Sequence, residues 1–117
     1  MEGISLGREI WSSEELKQVL VAHEELVEDM EKAVLALENE KAKELDKLTN
    51  KIRETISKLL ISFKGKDDLS TSLRSVYLLM NTLVLEGEIK KDPLQFQKAL
   101  KAISPVIRGF KALESKK

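Results

Sequence analysis

The 117-residue sequence has the length of one compact domain and is too short for two ordinary ones. It has no cysteine, which excludes disulfides and thiolate chemistry, and 34% of its residues are charged while 4% are aromatic. This composition predicts an all-helical protein, because strands would require more β-branched and aromatic residues and more frequent turn signals. The first thirty residues show neither a signal-peptide pattern nor a membrane-spanning run, so we expect a cytoplasmic protein without membrane insertion.

The net charge of zero hides an asymmetry along the chain. Residues 1–48 carry 13 acidic and 6 basic side chains, and residues 49–117 carry 7 acidic and 14 basic ones. An antiparallel bundle could lay the acidic first helix beside the basic later helices, which would leave no uncompensated basic face. We therefore expect no nucleic-acid partner.

The first helix is predicted over residues 13–38. Ser12 and Glu15 have the spacing of a capping box, and Trp11 and Leu16 are placed to pack as a hydrophobic staple. Apolar residues then recur with helical period, and His23 is predicted at the edge of their stripe. No cysteine, second histidine or convergent carboxylate pair accompanies His23, so the sequence predicts no catalytic or metal site and no cofactor.

The second helix is predicted over residues 40–63, with Asn39 as its cap and Gly65 as the left-handed residue after its end.

The third helix is predicted over residues 69–86, ending at Gly87. Its apolar residues are too many for one core face. The stripe assigned to the core is Leu69, Leu73, Val76, Met80 and Leu83, which leaves Leu78, Leu79 and Leu85 pointing elsewhere. This pattern predicts a helix that is central in the bundle or covered by a partner.

The fourth helix is predicted over residues 93–113. Asp92 and Pro93 form a strong start signal, because Asp caps exposed amides and Pro is favoured at the first helical position. Leu94 and Phe96 open its apolar stripe, and Pro105 removes one backbone hydrogen bond, which predicts a bent or split helix. The complete prediction is a single all-α domain, an antiparallel four-helix bundle with a kinked fourth helix and a loose N-terminal segment at residues 1–11.

The order of these local signals resembles the flagellar secretion chaperone family FliS. The likeness is most specific in residues 73–81, LRSVYLLMN, followed by IKKDP at residues 89–93 and IRGF at residues 107–110. Near the front, residues 13–20 resemble the family's first helix. Two departures are visible: the family's Leu-Tyr-x-Gly signature reads LVAH at residues 20–23, and Phe110 stands where the family has Trp.

The resemblance implies a four-helix bundle that acts as a cytosolic export chaperone. Its partner would be the disordered C-terminal segment of flagellin, held in an apolar groove so that flagellin does not polymerise prematurely. Other flagellar export components would be further partners, and the protein itself would be a monomer or a weak homodimer. The N-terminal segment could cover part of the same groove in the free protein.

Surplus apolar residues and a lack of catalytic groups favour a binding protein over an enzyme. The predicted partner-binding residues are Ile10, Trp11, Val21, Ile61, Tyr77, Leu78, Leu79, Leu85 and Ile89. Two alternatives remain open. One is a small helical subunit of a CRISPR-type nucleoprotein assembly, which would use Lys51, Arg53, Lys58, Lys98, Lys101, Arg108 and Lys111. The other is a structural module that self-associates through the third helix.

Overall fold

The computed structural model describes residues 12–63 and 65–115, and these form four helices without any strand. Helix α1 spans Ser13–Glu38, α2 spans Ala42–Ser62, α3 spans Asp68–Lys90 and α4 spans Pro93–Ser115. Short connections make successive helices antiparallel. Helices α1 and α3 each pack against both α2 and α4, so the four helices stand at the corners of a square. The predicted antiparallel four-helix bundle is confirmed.

Three helices begin where side chains accept hydrogen bonds from first-turn amides. In the capping box of α1, the Glu15 amide donates to Ser12 Oγ, and the Ser12 amide donates to Glu15 Oε1, both at 3.0 Å. Asp67 accepts from the Ser70 amide before α3, and Asp92 accepts from the Leu94 amide at 3.0 Å beside Pro93. The predicted starts of α1 and α4 are confirmed, whereas Trp11 lies outside the described residues.

The start of α2 differs from the prediction. Asn39 closes the end of α1 and does not cap α2, which is preceded by Lys41 and has no side-chain cap. The left-handed positions were also misplaced: they are Glu40 (φ 56°) and Lys91 (φ 54°), while Gly65 does not adopt that conformation. The amide of Lys41 donates to the carbonyl of Ala36, which closes the end of α1 although no glycine is present.

Helix α3 continues through Gly87 to Lys90, so the predicted helix end at Gly87 is wrong. Gly87 is buried inside the helix, and a Cβ atom at this position would lie 2.6 Å from Cε2 of Phe96 on α4. This glycine permits a close approach of two helices and does not end one. The core face of α3 is Leu73, Tyr77, Met80, Val84 and Gly87; Leu69, Val76 and Leu83 are only half-buried.

Helix α4 is continuous from Pro93 to Ser115 with Pro105 inside it, so the alternative of a split helix is wrong and the bend stays a prediction. Leu94, predicted in the core, is 51% exposed. Of the other apolar residues in the predicted stripe of α4, Phe96, Ile103 and Phe110 are fully buried, whereas Leu100 and Ile107 are half-buried.

Gly87→Ala is expected to lower the free energy of unfolding by about 1–2 kcal/mol, measured by urea denaturation. Overpacking costs about 1–3 kcal/mol, and the better helix propensity of alanine recovers at most about 1 kcal/mol. The same substitution in a Phe96→Leu background should cost less, because the smaller side chain leaves room for the new methyl group. If Gly87→Ala stabilises the otherwise wild-type protein, the close-approach interpretation is wrong.

Candidate partner-binding surface

The outer face of α3 carries the largest group of exposed apolar side chains on one helix. Leu78, Leu79 and Ile89 are 54%, 51% and 69% exposed, and Leu85 is half-buried. Leu78, Leu85 and Ile89 are seven and four residues apart, so they lie on one side of the helix, with Leu79 beside them. We call the surface formed by these four residues the α3 apolar face.

Most of this face lies on a stretch of α3 that has little charge, although 34% of the whole chain is charged and Glu86 and Glu88 flank Leu85 and Ile89. Between Ser70 and Leu85 the only charged residue is Arg74. Arg74 donates hydrogen bonds to the carbonyl oxygens of Phe63 and Gly65, so its guanidinium fastens the end of α2 to α3. The one charged side chain between Ser70 and Leu85 is therefore already hydrogen-bonded within the fold.

The hydroxyl groups between the leucines are also satisfied within the helix. Ser75 Oγ donates to the carbonyl of Thr71 at 3.1 Å, and Thr82 Oγ1 donates to the carbonyl of Leu78 at 3.2 Å. A partner that covers these groups does not have to replace their donated hydrogen bonds. The cost of removing water from this face is correspondingly small.

The other predicted binding residues do not join this face. Val21 is exposed on α1 and lines a groove between α1 and α2, and Ile61 is exposed near the end of α2. Ile10 and Trp11 lie outside the described residues. Leu35 and Leu94, which the sequence analysis did not assign to a binding surface, are 57% and 51% exposed on α1 and α4. Leu35 falls outside the predicted core stripe of α1, whereas Leu94 has the helical spacing of core residues, so pattern alone could not identify Leu94 as exposed.

Tyr77 is fully buried, so its assignment to the partner-binding set is corrected. Its hydroxyl lies 2.8 Å from Nε2 of His23, which is also fully buried and not at the edge of the α1 stripe. Nδ1 of His23 lies 2.7 Å from the carbonyl oxygen of Val19 and must donate to it, so Nε2 accepts from Tyr77. Burial raises the pKa of Tyr77, which remains a neutral donor.

The rings of Phe63 and Phe110 complete a cluster around this hydrogen bond. The His23 and Phe110 ring centroids are 5.1 Å apart, and the Phe63 and Tyr77 centroids are 6.0 Å apart. The four rings come from α1, the end of α2, α3 and α4. The cluster gives His23 a structural position in the buried core, near the end of the bundle where α2 ends and α3 begins.

Acid is expected to destabilise the fold through His23. Burial lowers the pKa of His23 below 6.5 in the folded state, so below that pH the unfolded chain binds more protons. The contribution of neutral His23 to the free energy of unfolding is therefore fully present above pH 6.5. It falls as the pH decreases below that value, by at most about 1.4 kcal/mol per pH unit. Urea denaturation between pH 7.5 and pH 5.5 should show this loss. A His23→Met, Tyr77→Phe variant should show a flatter profile, and an equal slope in both proteins would contradict the assignment.

A comparison with protein-family models shows the family to which this chain belongs. The family model described as Flagellar protein FliS matches residues 6–117, nearly the whole chain. The chain belongs to the FliS family. No curated protein sequence matches it significantly. The family consists of flagellar secretion chaperones, a class without enzymatic activity, and the recognised motifs of α3 and α4 fall within the matched region.

The FliS bundle separates the basic residues that the nucleoprotein alternative requires. Lys51, Arg53 and Lys58 lie on α2, and the remaining four lie on α4, at the opposite corner of the square. Lys51 also pairs with the buried carboxylate of Asp29 at 3.3 Å, and Arg53 Nε donates to Asn81 at 3.4 Å. These bases do not form one continuous face for a phosphate backbone.

Two kinds of feature are absent from residues 12–63 and 65–115, the part of this FliS chain that the structure describes. Within these ranges no three His, Cys, Asp or Glu side chains are grouped so that they could hold a metal ion. No helix in the same ranges is long and apolar enough to cross a membrane.

Proposed function

We propose that this FliS protein holds the disordered C-terminal segment of flagellin along the α3 apolar face and so delays flagellin polymerisation until export. The observation that carries the proposal is the combination of exposed leucines and self-satisfied hydroxyls on one helix face, within residues 75–85, which contain no charged side chain. Membership of a flagellar secretion chaperone family supports the class of client. An amphipathic segment could lay its apolar side against this face.

The available energy indicates how much of the client must be bound. Complete burial of one Leu or Ile contributes roughly 1.5–3 kcal/mol. Leu78, Leu79 and Ile89 are 54%, 51% and 69% exposed, so a partner gains only the part of that energy that belongs to the exposed area. Covering them contributes roughly 2–5 kcal/mol, whereas a micromolar complex requires about 8 kcal/mol. The client must therefore extend beyond α3. Val21 on α1 and Ile61 on α2 are further apolar positions that a long, wrapping segment could cover.

Titration calorimetry with a peptide that ends at the carboxyl terminus of flagellin tests the proposal. We expect saturable one-to-one binding that changes little between low and high salt, because apolar contacts are less screened than ion pairs. In parallel, light scattering of seeded flagellin should show slower polymerisation when the protein is added. Absence of peptide binding, together with salt-dependent RNA binding, would overturn the chaperone proposal in favour of the nucleoprotein alternative.

Light scattering of the protein alone addresses the self-association alternative. If α3 serves mainly to join copies of the chain, the oligomer should persist without peptide and should compete with it. If the α3 apolar face is a client surface, the peptide should bind to the monomer. An oligomer that the peptide neither dissociates nor binds would contradict the proposal.

A further inference from the structure

The adjacent helices α1 and α4 expose opposite charges. Three exposed acids of α1 recur at spacings of four and three residues: Glu24, Glu28 and Glu31. Three exposed bases of α4 recur at spacings of seven and three residues: Lys101, Arg108 and Lys111. At about 100° per residue, the acids are rotated by about 100–160° from Asp29, which contacts α2, and the bases by similar angles from the buried Ile103 and Phe110. We call the surface formed by these six residues the α1–α4 charged face.

Most of these charges have no charged partner within the chain. In the part that the structure describes, residues 12–63 and 65–115, none of Glu24, Glu31, Lys101 and Lys111 forms an ion pair. Glu28 pairs with Lys32 at 2.9 Å, but both side chains are more than half exposed. The charges of this face are therefore accessible to another molecule.

The levels of these charges along the bundle follow from one contact between the two helices. The rings of His23 on α1 and Phe110 on α4 are 5.1 Å apart. Because α1 and α4 are antiparallel, each step forward from His23 matches one step back from Phe110. Lys111, Arg108 and Lys101 therefore lie at the levels of residues 22, 25 and 32 of α1. The acids and the bases are thus both centred near the level of Val27.

This common centre makes the face complementary to itself. A two-fold axis at the level of Val27, perpendicular to the face, lays α1 of one copy over α4 of a second copy. Three acid–base pairs then match within about two residue steps, or about 3 Å along the helices: Glu24 with Lys101, Glu28 with Arg108 and Glu31 with Lys111. Lys17, a further base on the same side of α1, faces the uncharged Gln97 in this arrangement. The symmetry produces every pair twice.

The dimensions of the bundle are sufficient for such an interface. The bundle extends over 45 × 25 × 23 Å, so one long side exceeds the roughly 800 Å² per partner that a specific protein–protein interface requires. The pairs remain near solvent, where a single ion pair contributes little. The expected dimer is therefore weak and sensitive to salt.

From this arrangement we infer that two copies of the chain associate through the α1–α4 charged face, about a two-fold axis near Val27. The inference does not depend on the identity of the client. It also differs from self-association through α3, because α3 stands at the corner of the square opposite α1. Each copy in the dimer therefore keeps its α3 apolar face available.

Sedimentation equilibrium tests the inference. We expect the dissociation constant of the dimer to rise at least about tenfold between about 0.05 M and about 0.5 M salt, because salt screens exposed charges. One variant carries Glu24→Lys and Glu31→Lys, and another carries Lys101→Glu and Lys111→Glu. Each variant turns four of the six pairs into like charges and should weaken the dimer at least about tenfold. Glu and Lys are both good helix formers, so thermal melts should show folded proteins.

A chain with all four substitutions decides whether the pairs are specific. It restores the pairs with reversed polarity and has the original net charge, so its dimer should return to within about threefold of the wild-type affinity. Two variants on α2 are matched controls, because their residues are exposed and their net charges change equally: Glu44→Lys with Glu54→Lys, and Lys43→Glu with Lys47→Glu. Both controls should dimerise within about threefold of the wild type.

Three results would overturn the inference. The first is a wild-type protein that stays monomeric at low salt. The second is an equal loss of the dimer in the α2 controls, which would show an effect of net charge alone. The third is a folded chain with all four substitutions that fails to dimerise.

Discussion

Leu78→Ser and Leu79→Ser are each expected to weaken binding of the flagellin C-terminal peptide by at least about fivefold, which corresponds to about 1 kcal/mol. Both side chains are about half exposed, so a partner can bury them further. The melting temperature of the free protein should change little, because an exposed leucine contributes little to the fold. Calorimetry on the purified variants, with thermal melts of the same samples, gives both quantities.

Leu94→Ser is the matched control for Leu79→Ser. Both leucines are 51% exposed, but Leu94 lies on α4 and outside the α3 apolar face. It should leave both binding and stability nearly unchanged. Equal losses of affinity for the two variants would indicate a general effect of surface apolarity. Unfolding of Leu79→Ser would show that this side chain supports the fold, and the assignment of the α3 apolar face to a client would then fail.

Tyr77→Ala is expected to lower the free energy of unfolding by about 3–5 kcal/mol, since it removes a large, fully buried ring. Tyr77→Phe keeps the ring but leaves Nε2 of His23 without its hydrogen-bond donor, at a cost of about 1–3 kcal/mol. Urea denaturation at pH 7.5 measures both. The peptide affinity of folded Tyr77→Phe should equal that of the wild type. A weakened affinity without loss of stability would return Tyr77 to the binding surface.

Local signals in the sequence predicted the helix starts best. Ser12 with Glu15, and Asp92 with Pro93, act through hydrogen bonds and backbone angles within a few residues, so no knowledge of the tertiary structure is required. Gly87 was misleading for the opposite reason. A glycine that ends a helix and one that admits a ring from another helix look the same in sequence, and only the position of Phe96 distinguishes them.

The exposure of the apolar residues of α3 was predicted in part for a similar reason. Leu78 and Leu79 were predicted to point away from the core stripe, and the structure exposes both. Tyr77 is adjacent to them, but one helical residue rotates the side chain by about 100°, which places it in the core. Its partner His23 is 54 residues away in the chain, and no local pattern indicates such a contact.

The ring cluster has a consequence for how the bundle opens. Each helix contributes one ring at or next to its sequence, and the four rings meet at one level of the bundle. A helix that separates at this level therefore exposes the rings that its own ring contacts. That level lies away from the end of the bundle where α1 turns into α2 and α3 ends. Backbone amides around His23 and Phe110 should exchange with solvent only through complete unfolding, and those near Lys41 and Lys91 through local fraying. The end of the bundle that contains the rings is thus expected to keep the four helices in register until the whole fold opens.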